Sequence, residues 1–476
     1  MKQKGLFLHN TQTKKKEEVL LAPGREQMRM YTCGPTVYDF AHIGNLRTYV
    51  CEDLLRRSLH YFSLPVTQVM NVTDVDDKTI RGATEKKMDL REYTRKYKTA
   101  FFHDLNTLSV HPAEYYPEAT HYIEEMIKMI EGLLKKGYAY RGDSGDVFYK
   151  IHRFPSYGKL SHLRLDQLRI GGSQRIAEDD YQKESAADFV LWKRHLPQRD
   201  GEIFWESPFG RGRPGWHIEC SAMAFALLGE SIDIHVGGVD NMFPHHENEI
   251  AQSEGFSGKP FVRYWMHIEH LMVEGCKMSK SLGNVYTLSD LLDRGYSGLE
   301  IRYLLLSTHY RTSLNFKMRE LDRARHSLRR IHSFIERMER TEGKTIGSLS
   351  PYLEKMRQTF REFLGDDLNI SGALSVLFDL IREVNAWCDQ GSIGKSGGEK
   401  VLTFLDELNR VLAIMPRKKK KELTVPPEVK EAFIKRQQAR LERRWEEADR
   451  YRERISFYGY SIEDGPEGSR LKKNSS

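Results

Sequence analysis

Four residues with metal-ligand side chains are scattered along the chain: Cys33, Cys220, and the pair His245 and Glu249. Thiolate, imidazole and carboxylate together suit Zn²⁺ in a four-coordinate site. His245 and Glu249 are four residues apart, and in a helix that spacing puts both on one face. His246 has the same chemistry as His245, so residue type alone does not separate them. No close Cys–Cys pair announces a site. Two buried cysteines beside a surface acid–histidine cluster, or a purely structural zinc, are the plainer readings.

Two further clusters suit phosphate. His42-Ile43-Gly44-Asn45 stands where a helix is expected to begin. A helix amino end offers free N–H groups and a partial positive charge. Gly44 has no side chain to block a nucleotide, and His42 can donate to phosphate oxygens. An ordinary helix cap is the alternative. Far downstream, Lys277-Met278-Ser279-Lys280-Ser281 sits in a stretch rich in Gly and Ser. Such a loop can close Lys277 and Lys280 over a triphosphate as charge develops. A solvated basic loop is the alternative.

These residues need elements to hold them. Met28–Cys33 and Val66–Val72 read as strands, with a helix from near His42 through Arg56 between them. That alternation argues for a parallel sheet. Residues from about 117 look like an insertion, with a helix over Glu118–Gly137, a β stretch over Asp146–Lys150 and a polar segment at Gly171-Gly172-Ser173. The sheet resumes at Ile232–Val236 and ends at Gly237-Gly238, a turn that suits a ligand beyond parallel strand ends. From about 290 the pattern is helical: Arg302–Thr308, Met318–Arg340, Tyr352–Leu364, Ala373–Asp389 and Lys400–Ile414. Arg417 to Lys421 and Pro426-Pro427 read as a linker. A long basic helix to about Arg454 follows, then a small hairpin ending in Glu463-Asp464-Gly465-Pro466.

The chain has 476 residues, 39% hydrophobic and 30% charged, with a net charge of +7. That length suits several units with sizeable cores, and the modest basic excess suits a polyanion partner. Its five cysteines are few, scattered and odd in number, which argues for a reducing compartment over a secreted disulfide framework. The amino-terminal stretch lacks a signal-like apolar core, and no apolar run reaches membrane-spanning length. A cytoplasmic protein with no membrane association is expected.

In this order on one α/β chain, the motifs at His42–Asn45 and Lys277–Ser281 resemble the two signatures of class I aminoacyl-tRNA synthetases. Asn71–Lys78, Lys183-Glu184-Ser185, Asp188–Lys193, Gly215–Cys220 and the terminal Glu-Asp-Gly-Pro narrow the resemblance to the cysteinyl-tRNA synthetases. The resemblance implies a Rossmann-like parallel-sheet catalytic domain with an insertion, then a helical bundle and a small C-terminal anticodon-binding unit. The expected boundaries are 1–116 and 213–270 for the catalytic halves and 117–212 for the connective insertion. The second-motif loop and stem-contact region spans 271–330, the bundle 331–421 and the C-terminal unit 422–476.

The implied reaction joins L-cysteine to ATP, with Mg²⁺, and passes cysteine from the adenylate to the terminal adenosine of tRNA-Cys. By this resemblance His42, Asn45, Lys277 and Lys280 are catalytic, and Gly44, Gly238, Asp240 and Lys280 bind ATP. Thr73 and Trp216 line the cysteine pocket. The family pattern selects His245, giving one zinc per chain on Cys33, Cys220, His245 and Glu249. Arg440, Trp445, Asp449 and Asp464 fall on anticodon-reading positions, and a monomer is expected. A soft thiolate bonds zinc well and a serine hydroxyl poorly, so no editing domain is needed. Two departures stand out: Asn45 replaces the usual second histidine, and Cys276 replaces a residue more often charged or polar. Cys276 would confer sensitivity to thiol reagents, or be inert. The rival readings are a non-catalytic RNA-binding paralogue with structural zinc, and a cysteine–amino-sugar ligase.

Overall fold

The computed structural model describes residues 5–163, 188–278, 283–345, 349–416, 427–441, 444–458, 460–465 and 468–473. Gly171-Gly172-Ser173, Lys183-Glu184-Ser185, Lys280, and the linker from Arg417 to Pro426 lie outside them. The chain divides into two compact units, Met1–Met415 and Pro416–Ser476.

The centre of the first unit is a parallel sheet. Its strands are β3 (Met28–Thr32), β4 (Val66–Met70), β9 (Ile232–Gly238) and β10 (Val262–Ile268), in the order β10-β9-β3-β4. Register pairs Met30 with Ile234 and with Gln68, and Tyr264 with Ile234. These strands are apolar on both faces because both faces are covered. Met28, Met30, Ile234 and Val236 pack into one core, and Tyr31, Val69, Ile232 and Trp265 into the other. A short amino-terminal hairpin, β1 (Phe7–Asn10) and β2 (Lys15–Glu18), precedes them.

Helix α1 (Ile43–Tyr61) crosses one face of the sheet and is buried along most of its length. It carries charge inward: the buried Asp53 meets Arg57 at 2.7 Å and Arg302 at 2.5 Å. After β4 come α2 (Asp77–Glu85) and α3 (Leu90–Thr107). The insertion begins with a 3₁₀ turn at Ala119–His121, so its main helix, α4, spans only Ile123–Lys135. Its antiparallel sheet runs β5 (Ala139–Arg141), β6 (Val147–Tyr149), β7 (Phe189–Arg194) and β8 (Gly212–Pro214) in sequence order. Helix α5 (Trp216–Leu228) leads back into β9, and α6 (Glu247–Ser257) into β10.

A small sheet follows, of order β12-β11-β13: β11 (Leu271–Val273), β12 (Cys276–Lys277) and β13 (Leu314–Phe316). Helix α7 (Gly298–Leu306) precedes β13. Helices α8 (Met318–Glu339), α9 (Ser350–Gly365), α10 (Ile370–Asp389) and α11 (Lys395–Leu412) form the bundle. Each of the last three starts a few residues before the apolar period becomes visible.

The second unit contains two helices where the sequence reads as one: α12 (Pro427–Leu441) and α13 (Trp445–Phe457). A hairpin of β14 (Tyr460–Gly465) and β15 (Gly468–Lys473) packs with them around Val429, Ala432 and Ile455. Glu463-Asp464-Gly465 therefore lies in the first strand of the hairpin rather than closing it.

Candidate active site and metal centre

A cleft of about 740 Å³ opens at the carboxyl ends of the four parallel strands, where ligands of such sheets bind. Cys33 and Gly34 follow β3, Asn71 and Thr73 follow β4, Gly238 ends β9, and Glu269 and His270 follow β10; all line it.

His42 is the N-cap of α1. Its Nδ1 accepts from the Asn45 backbone N–H at 3.2 Å, and Asn45 Oδ1 accepts from the His42 N–H at 3.3 Å. This reciprocal pair is a capping box. The Asn45 carbonyl oxygen is thus committed to the cap, which leaves its amide nitrogen as the donor toward the cleft. The segment that follows the second motif meets the first. Ile43 N–H donates to Tyr286 O at 2.9 Å, and His42 bridges Thr287. Lys277 and Met278 line the same cleft.

The predicted metal residues converge. Donor atoms of Cys33, Cys220, His245 and Glu249 all lie within 4.8 Å of one another, and all four residues are buried. Glu249 Oε1 stands 3.1 Å from His245 Nε2 and 3.9 Å from Cys33 Sγ. The backbone achieves this differently from the expected continuous helix. Met242–His246 is a π-type turn with extended Phe243 inside it (φ −136°, ψ 130°), and α6 begins only at Glu247.

A second donor set, Cys33, His235, His246 and Glu249, is equally close. It shares Cys33 and Glu249 but lies deeper. His235 Nε2 meets Glu249 Oε2 at 2.9 Å, His246 Nε2 meets Cys33 Sγ at 3.3 Å, and His246 Nδ1 meets His267 Nε2 at 2.8 Å. Cys33, Cys220 and His245 line the cleft, whereas His235 and His246 do not. The deeper histidines are therefore placed to orient the ligands of the outer set.

The local electrostatics suit cation binding. Burial opposes charge on Glu249, but His235 and His245 lower its pKa to about 2. Burial likewise opposes the His245 imidazolium, yet Glu249 and Cys220 raise it to about 9. The hydrogen bond with Cys33 lowers Cys220 to about 6 against burial, and the same bond with burial raises Cys33. Burial and neighbouring histidines hold His246 well below its ordinary value. Burial, with His235, lowers His267 to about 3.

Around this centre Trp216 stacks on His245, with centroids 4.1 Å apart and planes at 23°. His217 Nδ1 lies 2.9 Å from His245 Nδ1, so one ring donates to the other. Thr73 Oγ1 donates to Glu219 Oε2 at 3.0 Å and accepts from Asn71 Nδ2 at 3.2 Å, keeping one acceptor site of its own. Asp240 is exposed at the cleft, 3.1 Å from His270 Nδ1. Lys193 of the insertion meets Asp77 at 2.8 Å on the cleft edge.

In the second unit Arg440 is on α12, and Trp445 and Asp449 are on α13. Trp445 is 58% exposed, so it is not a packing residue of its unit. Asp464 falls within β14. Sequence reading missed His217, His235, His267 and Glu219, and weighed His246 only as an alternative to His245. The adjacent His245-His246 pair was a partial signal, because consecutive imidazoles leaving a turn point to different neighbours.

A parallel sheet with these two motifs meeting at its carboxyl edge defines a class I tRNA synthetase. The family model described as "tRNA synthetases class I (C) catalytic domain" matches residues 21–326, and the DALR domain matches residues 359–415. The cysteine–tRNA ligase of Protochlamydia amoebophila is 54% identical over 469 residues, covering 98% of each chain. That of Chlamydia pneumoniae is 50% identical over 475 residues, again covering 98% of each. The chain belongs to this family, on its cysteine–tRNA ligase branch. In fold it is similar to Mycobacterium tuberculosis methionyl-tRNA synthetase in complex with methionyl-adenylate. That likeness has a TM-score of 0.57 at 13% identity, over 82% of this chain and 90% of that one.

Proposed function

We propose that the cleft activates L-cysteine with ATP·Mg²⁺ and then transfers it to the 3′-terminal adenosine of tRNA-Cys. One observation carries this reading: two thiols and an imidazole line the cleft with a carboxylate behind them, beside the helix end where Met278 closes on Gly44.

The donor set fits zinc. Bond lengths near 2.0–2.3 Å imply donor–donor separations of roughly 3.3–3.8 Å in a tetrahedron. The 3.1 and 3.9 Å distances around Glu249 need only small adjustment. Cys33, Cys220, His245 and Glu249 would hold one Zn²⁺. Bound there, zinc supplies a soft acid that bonds a substrate thiolate and discriminates against a serine hydroxyl.

The chain's own groups do the rest. Thr73, with its proton directed at Glu219, presents a lone pair to the substrate ammonium. Trp216 closes the apolar side of the pocket. His42 and the Asn45 amide donate to phosphate at the α1 amino end, and Asp240 holds the ribose beside Gly238. Gly44 lets the nucleotide lie against the helix end. Lys277 and Lys280 stabilise the charge that develops as pyrophosphate leaves. No covalent enzyme intermediate is required.

In this reading residues 1–116 and 213–270 perform activation, 117–212 form the connective insertion, and 271–330 carry the second motif and contact the stem. Helices α8 to α11 form the bundle, and the C-terminal unit reads the anticodon through Arg440, Trp445, Asp449 and Asp464. The protein acts as a cytoplasmic monomer. Among the described residues no helix is long and apolar enough to cross a membrane.

The deciding measurement is cysteine-dependent ATP–pyrophosphate exchange, with serine alongside and zinc determined on the same sample. Exchange with cysteine only, at about one zinc per chain, is expected. No exchange in folded, zinc-loaded protein would overturn the catalytic reading.

A further inference from the structure

Arg47 lies two residues beyond Asn45 on α1 and is fully buried. Its guanidinium is held by four backbone carbonyls. Nη1 donates to Glu269 O at 2.8 Å and His270 O at 2.7 Å. Nη2 donates to His309 O at 3.2 Å and Thr312 O at 2.6 Å. The contrast with its neighbours is informative. Arg57, on the same helix, and Arg302, on α7, both meet the Asp53 carboxylate, the usual way to keep a buried guanidinium. Arg47 instead uses its flat fork to gather carbonyl dipoles from two separate segments.

Those segments are the roots of the small sheet that carries the second motif. Glu269 and His270 join β10 to β11 and line the cleft. His309 and Thr312 lie in the turn before β13. The two roots are also tied to each other: Glu269 N–H donates to Tyr310 O at 2.8 Å, and Leu314 N–H donates to His270 O at 3.1 Å. Strand β11 pairs in parallel with β13 and turns at Glu274-Gly275 into Cys276–Lys277. One side chain from the helix of the first motif thus grips the root of the hairpin that presents Lys277 and the root of β13, the strand paired with it.

We propose that Arg47 is a positioning residue for amino-acid activation: it anchors the root of the second motif to the helix of the first, fixing the distance from which Lys277 reaches the phosphates. This rests on the activation reading given above. A lysine retains the charge but is a compact point donor that cannot span four carbonyls in two directions. Misplacing a catalytic group by about 1 Å costs on the order of 100-fold in rate.

The test compares full-length, zinc-loaded wild type, Arg47→Lys and Asn315→Ala. Asn315 is exposed on β13, and its Oδ1 accepts from the Gly275 N–H at 2.8 Å. Its loss loosens the same hairpin from the far end and leaves the core intact. Both variants are expected to lower kcat for cysteine-dependent exchange, Arg47→Lys by roughly 10- to 100-fold. The KM for cysteine should stay within about twofold of wild type, because the metal centre and Thr73 are untouched. Amide hydrogen exchange should accelerate at Glu269 and Leu314 in Arg47→Lys while β3 and β9 keep their protection.

Wild-type kcat in a folded Arg47→Lys would overturn the proposal. So would a loss spread equally over both KM values and all sheet amides, which is what a merely structural residue gives. If Arg47→Lys does not fold, normal kinetics in Asn315→Ala overturns it. Failure of wild type to exchange would instead sink the activation reading, and the amide pattern would still report whether the anchor exists.

Discussion

A side chain on Gly44 would run into Met278. A Cβ built on Gly44 lies 2.5 Å from the Met278 methyl group and 3.1 Å from the His42 ring. The missing side chain therefore lets Met278 of the second motif seat against the first, and in the proposed reaction it also lets the nucleotide reach the helix end.

This separates stability from activity at one position. Met278 is the flexible end of a long side chain, and alanine is a better helix former than glycine by about 1 kcal/mol. Gly44→Ala should leave the melting temperature unchanged or slightly higher. Pyrophosphate exchange should fall by roughly 100-fold, since a displacement of about 1 Å at the reacting groups costs that much. A variant that keeps full exchange would show that the contact between the motifs is incidental.

Asn45 carries two roles that substitution can divide. Its side-chain carbonyl closes the capping box with His42, and in the proposed reaction its amide nitrogen donates to phosphate. Asn45→Ala should lose about 1 kcal/mol of stability together with exchange activity. Asn45→His restores a donor of the usual family type and should retain most activity. Denaturation and exchange on the same preparations check both. Equal stability of Asn45→Ala and wild type would remove the capping role.

Much of this architecture was legible because its cause is local. Met28–Thr32 and Ile232–Val236 are apolar on both faces, a pattern that belongs to a covered parallel sheet. The helix at His42 was legible from its cap chemistry; Cys33, Cys220, His245 and Glu249 stood out by donor type, and the four-residue spacing together with the family resemblance picked His245 over His246. What stayed hidden depends on tertiary proximity. His235 and His267 sit on strands and look like ordinary interior residues until Glu249 and His246 are brought against them. Strand β8 is only Gly212-Arg213-Pro214, which carries no apolar alternation and pairs because β7 lies beside it. Arg47 looked like any polar helix residue, since nothing in its neighbours foretells four carbonyls converging from residues 269–312. The break between α12 and α13 was missed because the residues around it are mostly helix formers, with no Gly or Pro to mark a stop.

Metal uptake should be coupled to proton release in a countable way. Without metal at pH 7.5, Glu249 (about 2) and Cys220 (about 6) are already ionised, whereas His245 (about 9) and the raised Cys33 hold their protons. Zinc needs neutral imidazole and thiolate, so binding should release about two protons, and affinity should rise with pH, less steeply above about pH 9, where His245 has lost its proton and Cys33 still holds one. Calorimetric titration of apo protein with zinc in two buffers of different ionisation enthalpy counts them. Release of no protons would mean that Cys33 and His245 are not both ligands. Cys220→Ser should lose both zinc and cysteine activation; normal cysteine activation without zinc would refute the thiol-reading role of the metal.

Asp104 on α3 gives a pH effect away from the site. Burial, only partly offset by His103, raises its pKa to about 6 from an ordinary value of 3.8. A carboxyl raised in the folded state binds its proton more tightly when folded. Its contribution is therefore most favourable below pH 3.8, declines as pH rises toward 6, and is fully lost above that. The side chain is only half-buried, so after discounting for solvent screening the penalty at neutral pH is about 1 kcal/mol. Asp104→Asn removes the ionisation and should raise the melting temperature at pH 8 while changing it little near pH 4. Equal effects at both pH values would assign the change to packing or helix propensity rather than to the buried charge.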